Sequence, residues 1–313
     1  MNISAQHRGR MLLCLAIVYL VWGSSYLATS IGVHVLPPLL FGGVRFVLSG
    51  LMLYGIARAL GSRARVTASE WRHVFIVGLG TVFISNGCNT WAMQWVASNQ
   101  AALLNASPAF WIPLFGMFGA RAHAVSRRVA LGLLAGFAGT ALVVLPRAAA
   151  HAVGGAGGAG GELTPTLVIL FGCLAWSLAT IYLRNVRSQL DILTFTALQM
   201  LCGGIMMLLL GFWRGEAALW SWSGPGLLAM AYMAIFSSCL GYTAYAWLTK
   251  HSTPSHVASY AFVNPAIATV LGWWVLNEQL STPQVFGMTI LLVGVMLVIW
   301  PDSARLDDAL KTP

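Results

Sequence analysis

Apolar stretches of helical length recur down the whole chain, separated by short polar connections. They fall at 11–31, 37–60, 73–96, 100–118, 128–146, 163–186, 191–212, 225–248, 257–276 and 283–300. Roughly 20 apolar residues cross a hydrocarbon core of about 30 Å as one helix, so each stretch reads as a transmembrane helix. The pattern predicts an all-α polytopic membrane protein of ten transmembrane helices, counted here as helices 1 to 10. Helix 1 follows the basic segment MNISAQHRGR, yet it runs too long for a cleaved signal and nine similar segments follow it. It is expected to stay in the mature chain.

The pattern also repeats. VWGSSYLATS at 21–30 aligns with AWSLATIYLR at 175–184 and sets Trp22 against Trp176. ASNQAALLNASPAF at 97–110 aligns with PSHVASYAFVNPAI at 254–267, so Pro108 of helix 4 falls against Pro265 of helix 9, and Gly132 and Gly139 match Gly287 and Gly294. The offset stays near 155 residues. Two five-helix repeats are expected, at 11–146 and 163–300, with a Gly-rich linker over 147–162 and a tail over 301–313. Five is odd, so the second copy starts on the other side of the membrane and the repeats are inverted. Inverted repeats let one sequence plan open a central site first to one side and then to the other, which points to transport.

Composition agrees with lipid as the solvent: 58% of residues are hydrophobic and 8% charged. The net charge of +9 does not form a soluble basic face, which excludes a nucleic-acid partner. It reports topology instead. When alternate connections are assigned to one side, fourteen of the seventeen Lys and Arg residues share it, leaving Arg147 and Arg214 opposite and Arg45 inside helix 2. Both termini are therefore expected in the cytoplasm. Richness in Ala, Gly and Arg with little Lys fits a bacterial source, hence an inner membrane. All five cysteines fall inside apolar stretches without metal-ligand spacing, so no metal and no cofactor is expected.

A coupled transporter usually carries its proton on an intramembrane carboxylate. The eight acids here, Glu70, Glu162, Asp191, Glu216, Glu278, Asp302, Asp307 and Asp308, all fall in expected loops, tails or helix ends. A facilitator is expected, with proton coupling as its rival. Arg45, about two turns inside helix 2, meets a substrate carboxylate or else caps carbonyls and snorkels to headgroups. Trp22 and Trp176 sit too deep for an interfacial belt, either at a cavity or in core packing. Trp95, Trp247, Trp273, Trp274 and Trp300 lie near helix ends and read as interfacial anchors.

Helix 3 offers Asn86, Asn89 and Thr90 at helical spacing, and helix 8 offers Ser238, Tyr242 and Tyr245. Asn105 on helix 4 and Tyr260 and Asn264 on helix 9 complete a neutral, aromatic and amide-rich set that lines a cavity or joins helices. Pro108 and Pro265 interrupt helices 4 and 9 as hinges or static kinks. The paired glycines of helices 5 and 10 mark close packing or a dimer contact, for a monomer or a homodimer.

The segments VWGSSYLATSIG, PPLLFGGVRF, SPAFWIPLFG and ASYAFVNPAIATVLGWWVLNEQL resemble the drug/metabolite transporter superfamily and its EamA-type repeats over about residues 11–300. The resemblance implies ten helices around a central cavity lined by helices such as 1, 3, 4, 6, 8 and 9. It also implies export of amino acids, aromatic ones included, or related metabolites, by alternating access. The competing transport reading is a proton-coupled exporter of drugs or other metabolites. No Ser–Lys, Asp–Asp or metal-binding set stands in the spans for an intramembrane enzyme. A channel would need charged rings or a carbonyl filter, and a pure scaffold gives no reason for inverted repeats.

Overall fold

The computed structural model describes residues 5–62, 65–116, 127–154, 163–186, 188–252, 260–279 and 282–299. The tail over 301–313, residues 155–162 of the linker and Trp300 lie outside the described residues.

Helices fill nearly all of it, and each expected stretch contains one. They are α1 (Ala5–Val33), α2 (Pro38–Ala59), α3 (Ala68–Ala92), α4 in two pieces (Ser98–Leu104 and Pro108–Gly116) and α5 (Arg127–Gly154). Then come α6 (Leu163–Asn185), α7 (Ile192–Trp213), α8 (from Gly224–Tyr232 through Met233–Gly241 to Tyr242–His251), α9 (Tyr260–Leu276) and α10 (Thr282–Ile299). Among the described residues, six are long and apolar enough to cross a membrane: α1, α2, α3, α6, α7 and α8. Two more hold shorter apolar runs, Val263–Leu276 and Val285–Leu297.

Local chemistry sets the ends. Pro38 opens α2, where a missing N–H is harmless. The Thr67 hydroxyl accepts from Glu70 N at 3.3 Å and starts α3 five residues earlier than hydropathy alone places it. Asp191 caps α7 by accepting from Thr194 N at 3.0 Å. The helix α5 runs on through Ala-rich sequence to Gly154, so the first part of the expected 147–162 linker is helical.

Contacts between the halves come in exchanged pairs. The helix α1 packs on α8 and α9, and α6 packs on α3 and α4, while α2 pairs with α7 and α5 with α10. Adding five to each helix number exchanges the α1 contacts with the α6 contacts and returns α2–α7 and α5–α10 to themselves. Glycines bring the last two pairs together. A Cβ on Gly294 would lie 2.6 Å from Gly136 N, one on Gly139 2.5 Å from Leu291 N, and one on Gly204 3.0 Å from Val47 N. The glycine faces of α5 and α10 therefore meet each other inside one chain, in the close packing expected of small residues.

Polarity runs inside out relative to a water-soluble fold. Leu131, Leu134, Phe171, Leu209 and Phe286 are exposed on the periphery, whereas Arg45, Asn99, Ser177, Ser238 and Asn264 are buried. A protein solvated by lipid has this distribution.

Candidate functional site

Between the halves lies a cavity of about 110 Å³. Nine of the polar and aromatic residues singled out above border it: Trp22, Arg45, Asn86, Asn89, Asn105, Trp176, Tyr242, Tyr260 and Asn264. Pro108 borders it as well. Helices α1, α2, α3, α4, α6, α8 and α9 thus all contribute.

Two π-helical stretches, Leu79–Asn86 in α3 and Met233–Gly241 in α8, occupy matching places in the two repeats. A π turn holds one extra residue, so side chains five apart share a face where an α-helix would pair those four apart. Asn86 Nδ2 shows this by donating to the carbonyl of Thr81, five residues back, at 2.8 Å. In α8 the same register puts Ser237, five before Tyr242, on the cavity wall. It turns Ser238 into the protein, fully buried and with its Oγ unpartnered. The carbonyl of Ser237 accepts from Trp22 Nε1 at 3.1 Å. Gly241 leaves room for that indole: a Cβ there would lie 2.5 Å from Trp22 Nε1.

Two further residues also stand off the wall. Thr90 is buried and donates its hydroxyl to Asn86 O at 2.7 Å, a bond within its own helix. Tyr245 packs its ring on Trp22 at 5.1 Å and on Tyr260 at 5.9 Å. With Tyr242 at 5.4 Å and Tyr260 at 5.3 Å, Trp22 stands at the centre of an aromatic cluster.

Pro108 divides α4. Lacking an N–H, it leaves the Leu104 carbonyl free for Ser107 N at 3.0 Å and the Cys173 thiol at 3.5 Å. The resulting turn at 105–107 holds Asn105, whose Nδ2 donates to Asn89 Oδ1 at 2.7 Å and to Ala101 O at 2.8 Å. Pro265 lies within α9 without dividing it.

Arg45 is 3% exposed. Its Nη2 donates to Asn86 Oδ1 at 3.3 Å, its Nε has no partner, and its guanidinium carbon lies 4.0 Å over the Phe46 ring. The described acids are all engaged at helix ends. Glu70 accepts from Ser188 Oγ at 2.6 Å and Gln189 N at 2.7 Å, and Asp191 accepts from the Ser62 hydroxyl. At the other end Glu216 accepts from Leu40 N at 2.9 Å, and Glu278 from Ser98 N at 2.7 Å, Ser98 Oγ at 3.0 Å and Asn99 N at 3.1 Å. Each of these bonds joins one repeat to the other. Burial would raise the Asp191 carboxyl, but the bonds from Ser62 and Thr194 outweigh it and hold the group below its usual value. At Glu216 burial wins over the Leu40 and Leu39 N–H groups and Arg214, and the carboxyl is pushed up.

Ser25, Tyr26, Thr29, Ser85, Cys173, Met233 and Ser237 also border the cavity and were not expected there. Ser25, Tyr26 and Thr29 lie three, four and seven residues beyond Trp22, a helical stripe that the sequence does contain. For Ser237 no sequence signal exists without the π turn.

A model of the EamA-like transporter family matches the chain twice, over residues 9–145 and 163–300. The chain belongs to that family. This EamA-like transporter is 28% identical over 284 residues to the uncharacterized inner membrane transporter YedA of Escherichia coli K12, covering 90% of this chain and 88% of that one. It is 27% identical to the uncharacterized transporter YvbV of Bacillus subtilis, over 95% and 93% of the two chains. A solved crystal structure at 20% identity superposes with a TM-score of 0.64 over 93% of this chain and 97% of the other, so the fold is shared. The protein is a membrane transporter of the drug/metabolite transporter superfamily.

Proposed function

We propose that the chain exports small organic solutes, namely amino acids, aromatic ones included, or related metabolites, as a facilitator without proton coupling. In this reading ten helices cross a bacterial inner membrane as two inverted repeats with both termini in the cytoplasm, and solute passes by alternating access through the central cavity.

The observation that carries the reading is the cavity itself. It lies where the exchanged helix contacts meet, its wall comes from both repeats, and it holds rings, amides and one cation. A volume of about 110 Å³ is below the ~300 Å³ at which drug-sized pockets begin, which favours one small metabolite over a bulky drug. The described acids serve helix ends and leave the wall without a proton carrier.

Counterflow of radiolabelled amino acids into liposomes holding the purified protein tests this, with and without a pH gradient. Saturable counterflow that ignores the gradient is expected. Uphill uptake driven by acidifying one side would replace the facilitator with a proton-coupled exporter.

A further inference from the structure

We propose that the cavity selects by charge and takes monoanionic aromatic carboxylates ahead of zwitterions and amines, with Arg45 meeting the carboxylate. This rests on the reading of the cavity as the solute site and narrows it to one substrate class.

A guanidinium carries five N–H donors in a planar fork suited to a carboxylate. Arg45 uses one of them, at the long distance of 3.3 Å, and its buried Nε has no acceptor. A cation held this deep normally has a carboxylate partner, because desolvation is not otherwise repaid. The acids of the described residues are bound to N–H and hydroxyl groups at helix ends instead. Around Arg45 the cavity wall presents hydroxyls, amides and rings. The missing counter-charge is the solute's to bring.

Charge balance then orders the candidates. A monoanion makes the loaded cavity neutral. A zwitterion also pairs its carboxylate with Arg45, but its ammonium must be stripped of water against neutral groups. An amine adds a second positive charge to the first. The repeat counterpart of Arg45 is the uncharged Gln199, so the site offers a single cation and takes a single anionic group. Trp22, Tyr242 and Tyr260 supply an aromatic wall for the solute's ring. Asn264, 4% exposed with its Oδ1 unpartnered, leaves an acceptor for a hydroxyl or ring N–H on it.

Three probes that share a ring and differ in charge test the order: phenylacetate, phenylalanine and phenethylamine. Their counterflow is compared in liposomes of the full-length protein at neutral pH, against protein-free vesicles. Phenylacetate is expected to half-saturate at a concentration at least about tenfold below phenylalanine, with phenethylamine weakest. Arg45→Gln should erase that order, and Arg45→Lys, which keeps the charge and controls for folding, should retain it. Phenylalanine or phenethylamine ahead of phenylacetate would overturn the proposal, as would an unchanged order in a folded Arg45→Gln protein. If none of the three moves, thermal unfolding decides. Phenylacetate that stabilises the wild type and not Arg45→Gln keeps the anion site while sinking the transport reading; phenylacetate that neither moves nor binds overturns the anion site itself.

Discussion

The ends of the helix bundle and its centre treat charge in opposite ways. At the ends, Glu70, Asp191, Glu216 and Glu278 each accept hydrogen bonds from N–H or hydroxyl groups of the opposite repeat. At the centre, Arg45 has one long bond and an unpartnered Nε. Acids at the ends are given partners by the fold, and their bonds tie one repeat to the other. The charge at the centre is left for something else to satisfy. A buried charge that the fold does not complete points to a ligand, whereas a completed one can be explained by stability alone.

Replacing Arg45 by Met should separate the two regimes most sharply. Counterflow of an anionic solute is expected to fall by about a hundredfold, since a lost buried charge pair costs about 2–5 kcal/mol. Thermal stability should hold or rise by about 1–3 kcal/mol, because an isolated buried cation gives way to an apolar chain of similar volume. A marked drop in melting temperature would erase the distinction between centre and ends. Glu278→Ala should do the reverse, lowering stability by about 1–2 kcal/mol through the bonds lost at Ser98 and Asn99 while leaving the charge preference intact.

A smaller effect tests the π register. Ser237→Ala should raise the half-saturation concentration about threefold, and the neighbouring Ser238→Ala should leave it unchanged, because the Ser238 hydroxyl makes no bond. A larger effect at Ser238 than at Ser237 would argue for a plain α-helix in α8. The smallest change separates Asp191 from Glu216 by pH. The Asp191 carboxyl is held low in the fold, so its contribution to stability is present above its unfolded value and lost as pH falls through the folded one. Glu216 is held high, so its contribution is present below its unfolded value and lost as pH rises through the folded one. Melting curves from strong acid, below the ordinary aspartate value, up to neutrality should show Asp191→Asn flattening the most acid part and Glu216→Gln the part above the ordinary glutamate value.

Hydropathy placed a helix within every expected stretch because helices in lipid must be long and apolar over their whole length. The repeat singled out Trp22 and Trp176, and rarity singled out Arg45, since a lone charge among apolar residues needs no structure to be noticed. The α8 wall departs from plain helical spacing. Spacings of three and four assume an α-helix, and a single π turn exchanges Ser238 for Ser237. Thr90 was lost to its own backbone, as hydroxyls at helical spacing from a carbonyl often are. Pro108 announced a break in α4, but nothing local says that Asn105 in the resulting turn would reach Asn89, or that the Cys173 thiol would take up the freed carbonyl. Those are long-range pairings, and a single sequence does not record them.

One consequence of the unmatched Arg45 concerns the direction of flow. In the export proposed above, a monoanion neutralised in the cavity would carry one negative charge outward per cycle, and the interior of a bacterial cell is electrically negative. A membrane potential of 100 mV adds about 2.3 kcal/mol per charge, roughly a fiftyfold bias toward the outside. Export would then draw on the resting voltage of the cell, with no residue in the cavity asked to carry a proton. Vesicles clamped by a potassium gradient with valinomycin should show phenylacetate efflux speeding up when the inside is negative and slowing when the sign is reversed. Indifference to that sign would mean a second charge travels with the solute.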